Sequence, residues 1–153
     1  MYRKLVATIA LLAPLFFVNA VKAENPQQLK QLLSTGECVK CNLAKADLHG
    51  AHLLGADLRG ANLQGANLKG ANIEGADLTG ANLTGANLTS AFATNVNFKQ
   101  ANLNKVNFTK ARIHDSNVYG ASMNDLNISN ASINNTAIGV GGEGSPLDIP
   151  DWP

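Results

Sequence analysis

A five-residue pattern dominates the middle of this chain of 153 residues. From Gly55 to Gly80 the sequence reads GADLRGANLQGANLKGANIEGADLTG, in which Gly-Ala-(Asp/Asn)-(Leu/Ile) returns at every fifth residue. Five residues advance an α-helix by about 500°, so the leucines would drift around the axis without forming an apolar stripe. In a flat strand, where side chains alternate, an odd repeat would turn each leucine to the opposite face. Neither element fits the pattern.

A chain that bends once in each repeat does satisfy the pattern. Alanine and leucine lie two residues apart, so they point the same way from a short extended piece. If each bend returns the next pair to the same interior, the chain closes into a coil, and successive coils stack as a solenoid. Glycine at the fifth position, from residue 50 to residue 85, permits the positive φ that some tight turns require.

The A-(D/N)-L-x-x pattern, which runs from about Leu43 to Ile138, resembles that of the pentapeptide-repeat proteins. The resemblance implies an all-β fold, a right-handed quadrilateral parallel β-helix with four pentapeptides per coil. The chain would then form about five coils, roughly 24 Å long at a strand spacing of about 4.8 Å. Residues twenty apart should stack, and every column of pentad centres at that spacing is apolar.

Ala93 is the small residue among the pentad centres. It shares a coil with Phe98 and Phe108, whose rings should both point inward from opposite sides. We therefore interpret Ala93 as compensation for the volume of the two rings, since a third large residue would overpack the layer. Phe92, one residue earlier, should face outward and is a candidate partner contact.

The first 23 residues have the pattern of a secretory signal peptide. Arg3 and Lys4 precede an apolar segment, residues 5–18, and Val-Lys-Ala before Glu24 resembles a cleavage site. A retained membrane anchor is the alternative, but the segment is shorter than the ~20 residues that span a bilayer. We predict a signal peptide at 1–23, an exported chain, and no membrane association after cleavage.

Residues 24–36 predict a short helix that covers the first coil. Asn25 suits the N-cap, a proline follows it, and Gly36 suits the end of the helix. The predicted apolar stripe comprises Leu29, Leu32 and Leu33.

The repeats are assigned to residues 37–140, and the Gly- and Pro-rich residues 141–153 are expected to form a flexible tail. Leu147, Ile149 and Trp152 could fold back onto the last coil. The open end also leaves a monomer or an end-to-end dimer as the predicted states.

Two cysteines lie at the start of the repeats. Cys38 is a pentad centre and Cys41 occupies the small inward position of the next pentad, so both thiols should face the interior within bridging distance. A structural disulfide suits an exported chain best. Three alternatives stay open: free buried thiols, a redox-active Cys-x-x-Cys pair, which needs an exposed and activated thiolate, and half of a zinc site.

The remaining polar candidates indicate no catalytic chemistry. His49 and His52 should be solvated. The carboxylates of Asp57 and Asp77 fall in one column but would lie on an open face without a cleft. No catalytic residue, metal site or cofactor is predicted. One coil is locally basic, which indicates either a solvated rim or a docking site for an acidic partner, through Lys99, Lys105, Lys110 and Arg112.

Charge and resemblance together define the functional hypotheses. From Glu24 onward, nine Lys and Arg face eleven Asp and Glu, which does not favour nucleic-acid binding. The first hypothesis is a non-enzymatic interaction or structural scaffold with an unknown protein partner. The second, implied by the family, is a DNA-mimicking gyrase-binding protein, although such mimics are longer, more acidic and cytoplasmic. A redox-active protein is the third. Resemblance to secreted cyanobacterial members implies the periplasm or the thylakoid lumen.

Overall fold

The computed structural model describes residues 25–136. The predicted signal peptide, pentad centre Ile138 and the predicted tail lie outside these residues. One helix, α1, precedes a long coil in which three short strands are recognisable. Their bounds are α1 Pro26–Thr35, β1 Phe92–Thr94, β2 Arg112–His114 and β3 Ser132–Asn134.

Residues that lie twenty apart in the sequence pair side by side in parallel. The first such pair is Glu37 with Asp57, and the strands β1, β2 and β3 continue the same register at the other end. The N–H of a pentad centre in the earlier coils donates to a carbonyl of the following coil, as Leu83 N does to Asn102 O at 2.8 Å. The predicted stacking at twenty-residue spacing is confirmed.

The core is a set of four apolar columns inside this coil. Burying each Leu or Ile contributes on the order of 1.5–3 kcal/mol. The centres are buried as far as Val118, while those of the last layer are partly or largely exposed. The columns are Cys38, Leu58, Leu78, Phe98 and Val118; Leu43, Leu63, Leu83, Leu103 and Met123; Leu48, Leu68, Leu88, Phe108 and Ile128; and Leu53, Ile73, Ala93, Ile113 and Ile133.

The interpretation of Ala93 agrees with the packing around it. The rings of Phe98 and Phe108 meet edge to face, with their centroids 6.3 Å apart. Ala93 is fully buried in the same coil. Two large rings and the small Ala93 therefore share a layer, whereas the preceding layer has four aliphatic centres.

The corners are left-handed whether or not glycine occupies them. Gly80 has φ +65°, and Gln100, at the same corner of the next coil, has φ +56°. Lysine, serine, asparagine and aspartate also adopt positive φ at this position. For a residue with a Cβ this conformation costs roughly 1–2 kcal/mol. The stacking of the coils therefore dictates the corner conformation, and glycine only makes it easier.

The outward Asn and Asp residues hold the corners together, a role that the sequence analysis did not assign. Their side-chain oxygen accepts the N–H of the residue two positions later, as Asn82 Oδ1 does from Thr84 N at 3.1 Å. Thr84 Oγ1 donates to the same oxygen at 2.7 Å. Some of these side chains also bond between coils, for example Asn67 Nδ2 to Asp47 Oδ1 at 2.9 Å. Asx turns of this kind provide an acceptor for a backbone N–H that makes no hydrogen bond to a neighbouring coil.

Helix α1 covers the first coil as predicted, with one correction. Asn25 Oδ1 accepts from the N–H groups of Gln27 and Gln28, and Gly36 ends the helix with φ 75°. Leu32 is buried, but Leu33 is 55% exposed and does not join the apolar stripe. Successive helical residues differ by about 100° in direction, so a short helix lying flat on one layer cannot bury both.

Candidate interaction surface

Most outward positions of the coil carry Asn, Asp, Thr, Gln or Lys, and exposed large apolar side chains lie on two of its faces. Val39 and Tyr119 lie on the face of the column that ends at Val118. The other face differs further, because positions 92, 112 and 132 have neither Asn nor Asp. It covers the column that contains Ala93, and we call it the Phe92 face. Two large apolar side chains, Leu54 and Phe92, are exposed on it. Its outward residues are His52, Leu54, Asn72, Glu74, Phe92, Thr94, Arg112, His114, Ser132 and Asn134.

The centre of the Phe92 face is an aromatic–cation pair. Strand β1 alternates, so Phe92 points outward with 39% of its surface exposed while Ala93 points inward. Phe92 pairs with Arg112 across the β1–β2 register, and the guanidinium carbon lies 5.1 Å from the centre of the ring. This distance allows a cation–π interaction. The predicted outward orientation of Phe92 is confirmed.

The strands themselves follow from the residues before the pentad centres. Positions 92, 112 and 132 hold Phe, Arg and Ser, where most other pentads have Asn or Asp. These positions stack in adjacent coils, so neighbouring extended segments without Asx turns pair there as the strands β1, β2 and β3. On β2 and β3, His114 Nε2 lies 2.9 Å from Ser132 Oγ. The face therefore combines two exposed apolar side chains, a guanidinium group and an imidazole.

The four predicted basic residues do not form one patch. Lys99 is the outward residue directly after Phe98, on the face of the Phe98 column. Lys105 and Lys110 occupy the corners before and after Phe108. Only Arg112 lies on the Phe92 face, with Lys110 at the corner that leads into it. The cations encircle one coil because successive pentads face different sides.

Cys38 and Cys41 form the predicted disulfide bond, with their Cα atoms 5.2 Å apart. Both residues are buried, and Cys38 Sγ lies 3.3 Å from the carbonyl oxygen of Gln28 in α1. Gln28 also accepts the N–H of Asn42 through its side chain at 2.8 Å. The disulfide and these contacts join the helix to the first coil.

The remaining candidates lie on open surface. His49 and His52 are exposed, and within residues 25–136 no three His, Cys, Asp or Glu side chains are grouped as a metal site would require. Asp57 and Asp77 pair in adjacent coils, as predicted.

An ion pair that the sequence analysis missed joins Asp57 to Arg59, at 2.6 Å. The hydrogen bond from the Arg59 side chain lowers the pKa of Asp57, and burial opposes this shift. The same bond raises the pKa of Arg59. The spacing of two residues could have indicated the pair, because outward side chains at positions before and after a pentad centre lie on one face.

The hollows found in the described part of the chain are shallow or small. One, of about 360 Å³, is open to solvent beside α1 and is lined by Pro26, Leu29 and Leu33 with two polar neighbours. Another, of about 30 Å³, lies at the C-terminal end of the coil. Between Asn25 and Thr136 no helix has the length and hydropathy needed to cross a membrane.

Comparison with known proteins agrees with this geometry. A sequence model of the pentapeptide repeats matches residues 41–80 and 81–118, half of the chain, with eight copies. The chain belongs to the pentapeptide-repeat family. No curated protein matches the sequence significantly.

Solved structures of pentapeptide-repeat proteins have a similar fold. Rfr23 from the cyanobacterium Cyanothece 51142 is 23% identical, with a TM-score of 0.60 over 72% of this chain and 97% of that one. QnrB1, a plasmid-mediated fluoroquinolone resistance protein, is 20% identical, with a TM-score of 0.56 over 67% of this chain and 55% of QnrB1. A thylakoid-lumen protein of Arabidopsis thaliana is 33% identical, with a TM-score of 0.46 over 71% of this chain and 66% of that one. The structures of Rfr23 and QnrB1 imply a right-handed quadrilateral β-helix for this chain.

Proposed function

We propose that this pentapeptide-repeat protein is a non-enzymatic, exported interaction scaffold that binds a protein partner through the Phe92 face. The observation that supports this proposal most directly is the exposed Phe92 ring beneath the Arg112 guanidinium, on a face that departs from the Asn-rich pattern. In our proposal the full rod has about five coils and is roughly 24 Å long at about 4.8 Å per strand.

The chemistry of the face suits protein binding. Aromatic residues and arginine are enriched at the centres of protein interfaces, where they contribute most of the binding energy. The backbone beneath Phe92 is paired on both sides, with Asn72 and with Arg112, so little ordering is required when a partner binds. The complementary partner surface presents an apolar pocket for Phe92 and a carboxylate for Arg112. Lys110 at the adjoining corner favours the same acidic surface.

Export is part of the proposal, with the periplasm or the thylakoid lumen as the compartment. The signal-peptide pattern of residues 1–23 supports it, and so does the Cys38–Cys41 disulfide, since disulfides persist mainly in oxidising compartments. Mass spectrometry of the protein recovered from its native host tests both points. We expect a chain that begins at Glu24 and gains the mass of two hydrogen atoms on reduction. A chain that retains Met1, or has no such mass change, contradicts export or the disulfide.

The interaction itself is tested by affinity capture from the native compartment with three baits. We expect one stoichiometric protein partner with the wild-type protein, and at least tenfold less of it with Phe92→Ala, a loss of the size typical of hot-spot residues. The control is Lys99→Gln, a change on another side of the same coil, which should capture the partner normally. Circular dichroism checks that the baits are folded.

Two outcomes contradict the proposal. A partner captured equally well by Phe92→Ala binds elsewhere on the rod. Recovery of gyrase, with binding that is insensitive to Phe92, would instead favour the DNA-mimic hypothesis.

A further inference from the structure

The C-terminal end of the coil carries an apolar layer that the described residues do not cover. Ile128 is 47% exposed, whereas Leu88 and Phe108 in the same column are buried. Met123 and Ile133, centres on two other sides of this layer, are only partly buried. Pentad centres point into the interior of the coil, where the side chains of one layer normally contact those of the next. We call Met123, Ile128 and Ile133 the end layer.

Within residues 25–136 the backbone of the end layer has no pairing partner in a following coil. In the preceding coil Leu103 N donates to Ser122 O and Phe108 N to Asn127 O, at 2.8 and 2.7 Å. The corresponding N–H groups of Met123 and Ile128 have no acceptor among residues 25–136. An open sheet edge of this kind readily pairs with another extended segment.

The charge of this end restricts what can cover it. Between Val118 and Thr136 the one charged residue is Asp125. A hollow of about 30 Å³, lined by Phe98, Phe108 and the end layer, opens here. The surface therefore fits an apolar, extended occupant that contributes backbone hydrogen bonds.

The sequence after Thr136 contains such a segment and begins at this end. Seventeen residues follow, and the pentad frame would place Glu143 and Asp148 at centres, so they cannot extend the apolar columns. Leu147 and Ile149 are separated by one residue and share a side of an extended segment. The flanking prolines favour extended backbone. From Thr136 to Leu147 an extended chain reaches about 36 Å, while one side of a coil, about three extended residues, measures about 10 Å.

We propose that the segment Leu147–Trp152 docks across the end layer of its own chain and closes the C-terminal end of the solenoid. Leu147, Ile149 and Trp152 supply the apolar contacts, as Leu32 of α1 does at the other end. The covalent connection favours this occupant over a second copy, because tethering gives the segment a local concentration in the millimolar range.

Trp152 makes the proposal directly testable, because it is the only tryptophan of the chain. In the full chain we expect a tryptophan emission that is blue-shifted relative to the same protein in urea, and severalfold weaker quenching by acrylamide. Ile128→Asp should abolish both effects, since it places a charge in the end layer. The matched control is Ser129→Asp, which places the same charge one residue away on the side wall and should leave Trp152 protected. Circular dichroism of both variants confirms that the coil remains folded.

Three outcomes overturn the proposal. In the first, the Trp152 emission of the native wild-type chain is already that of the unfolded chain. In the second, Ile128→Asp leaves Trp152 protected, so that the segment docks elsewhere. In the third, protection is lost on dilution together with a fall in molecular mass by sedimentation, so that a second copy covers the end.

Discussion

Residues 41–89 and residues 90–136 form the same coil from different sequences. The first region repeats Ala-(Asp/Asn)-Leu with glycine at nearly every corner, while the second has glycine only at Gly120. Pairing at a spacing of twenty residues continues through both. The fold therefore depends on the inward positions and on the backbone hydrogen bonds between coils, and it does not require glycine at every corner.

The second region also contains the departures that distinguish this protein from a plain repeat. It holds the two core phenylalanines, the Phe92–Arg112 pair and the two buried polar side chains of the described residues, Ser116 and Thr136. The two phenylalanines are accompanied by a local adjustment, the small Ala93 beside them. A regular solenoid can therefore accommodate a distinctive surface when the layer beneath it is repacked.

The largest expected effect concerns the repacked layer. Ala93→Leu should destabilise the protein by about 1–3 kcal/mol, because the added side chain competes with the Phe98 and Phe108 rings for the same space. The control in the regular region is Ile73→Leu, in the same column, where a change that conserves volume should cost less than about 1.5 kcal/mol. Urea unfolding followed by circular dichroism measures both. Equal midpoints for the two variants would contradict the interpretation of Ala93.

A slightly smaller effect is expected at Ser116, a buried hydroxyl where the regular region has alanine. Its Oγ accepts the N–H of Val96 at 3.1 Å and donates to the carbonyl of Ala93 at 2.7 Å. In the regular region the equivalent Ala76 N donates directly to Ile73 O at 3.0 Å.

Ser116→Ala should therefore cost about 2 kcal/mol, since it leaves the Val96 N–H without its acceptor in the interior. The control Ser122→Ala removes an exposed hydroxyl from the next pentad and should change little. Thermal unfolding of both proteins distinguishes them. If Ser116→Ala is as stable as the control, the corner at Val96 must re-form the direct bond of the regular region.

Reciprocal corner substitutions test whether glycine only eases the left-handed conformation. Gly80 and Gln100 occupy one corner of adjacent coils, and the N–H of each donates to the following coil, at 2.8 and 2.9 Å. A Cβ at Gly80 would meet no atom within 4 Å, so only the backbone conformation opposes it. We expect Gly80→Gln to destabilise by about 1 kcal/mol and Gln100→Gly to stabilise by a similar amount or less. If urea unfolding showed both substitutions to change the stability in the same direction, side-chain contacts at the corner would outweigh the backbone conformation.

The sequence predicted much of the architecture because every pentad has the same order of inward and outward residues. The inward columns, the outward Phe92 and the disulfide between Cys38 and Cys41 follow from position within the pentad. The spacing of twenty residues was implied by the resemblance to the pentapeptide-repeat family, and the pairing of the coils agrees with it. The error at Leu33 has a different origin, because α1 has no repeat and its buried side depends on how it lies on the first coil. An apolar residue alone could not indicate which side that is.

The hydrogen bonds made by outward side chains were also not predicted, because they do not follow from position within the pentad alone. The Asn-x-Thr spacing could have indicated the Asx turns, for example Asn87 with Thr89, whose hydroxyl donates to Asn87 Oδ1 at 2.6 Å. The distribution of the four basic residues around the coil could also be read from register. In contrast, the contact between Arg112 and Phe92 depends on the rotamers of two long side chains, which no spacing determines.

The smallest expected effect on stability concerns an ion pair formed by the outward residues before and after one pentad centre. The regular region has Asp57 and Arg59 there, and the second has Asn97 and Lys99. The Arg59 hydrogen bond lowers the folded-state pKa of Asp57, so the pair stabilises the protein above the ordinary aspartate pKa of 3.8. This contribution is lost as the pH falls through the lowered value.

Arg59→Gln should therefore raise the Asp57 pKa toward 3.8, as measured by carbon NMR of the carboxyl group. Lys99→Gln, on the same side two coils away, should leave it unchanged, because exposed charges at such a distance are screened. An Asp57 pKa that is equal in Arg59→Gln and the wild type would mean that the ion pair does not persist in solution. Since the Arg59 side chain is exposed and that of Asp57 is partly exposed, the corresponding change in stability should be the smallest of these effects.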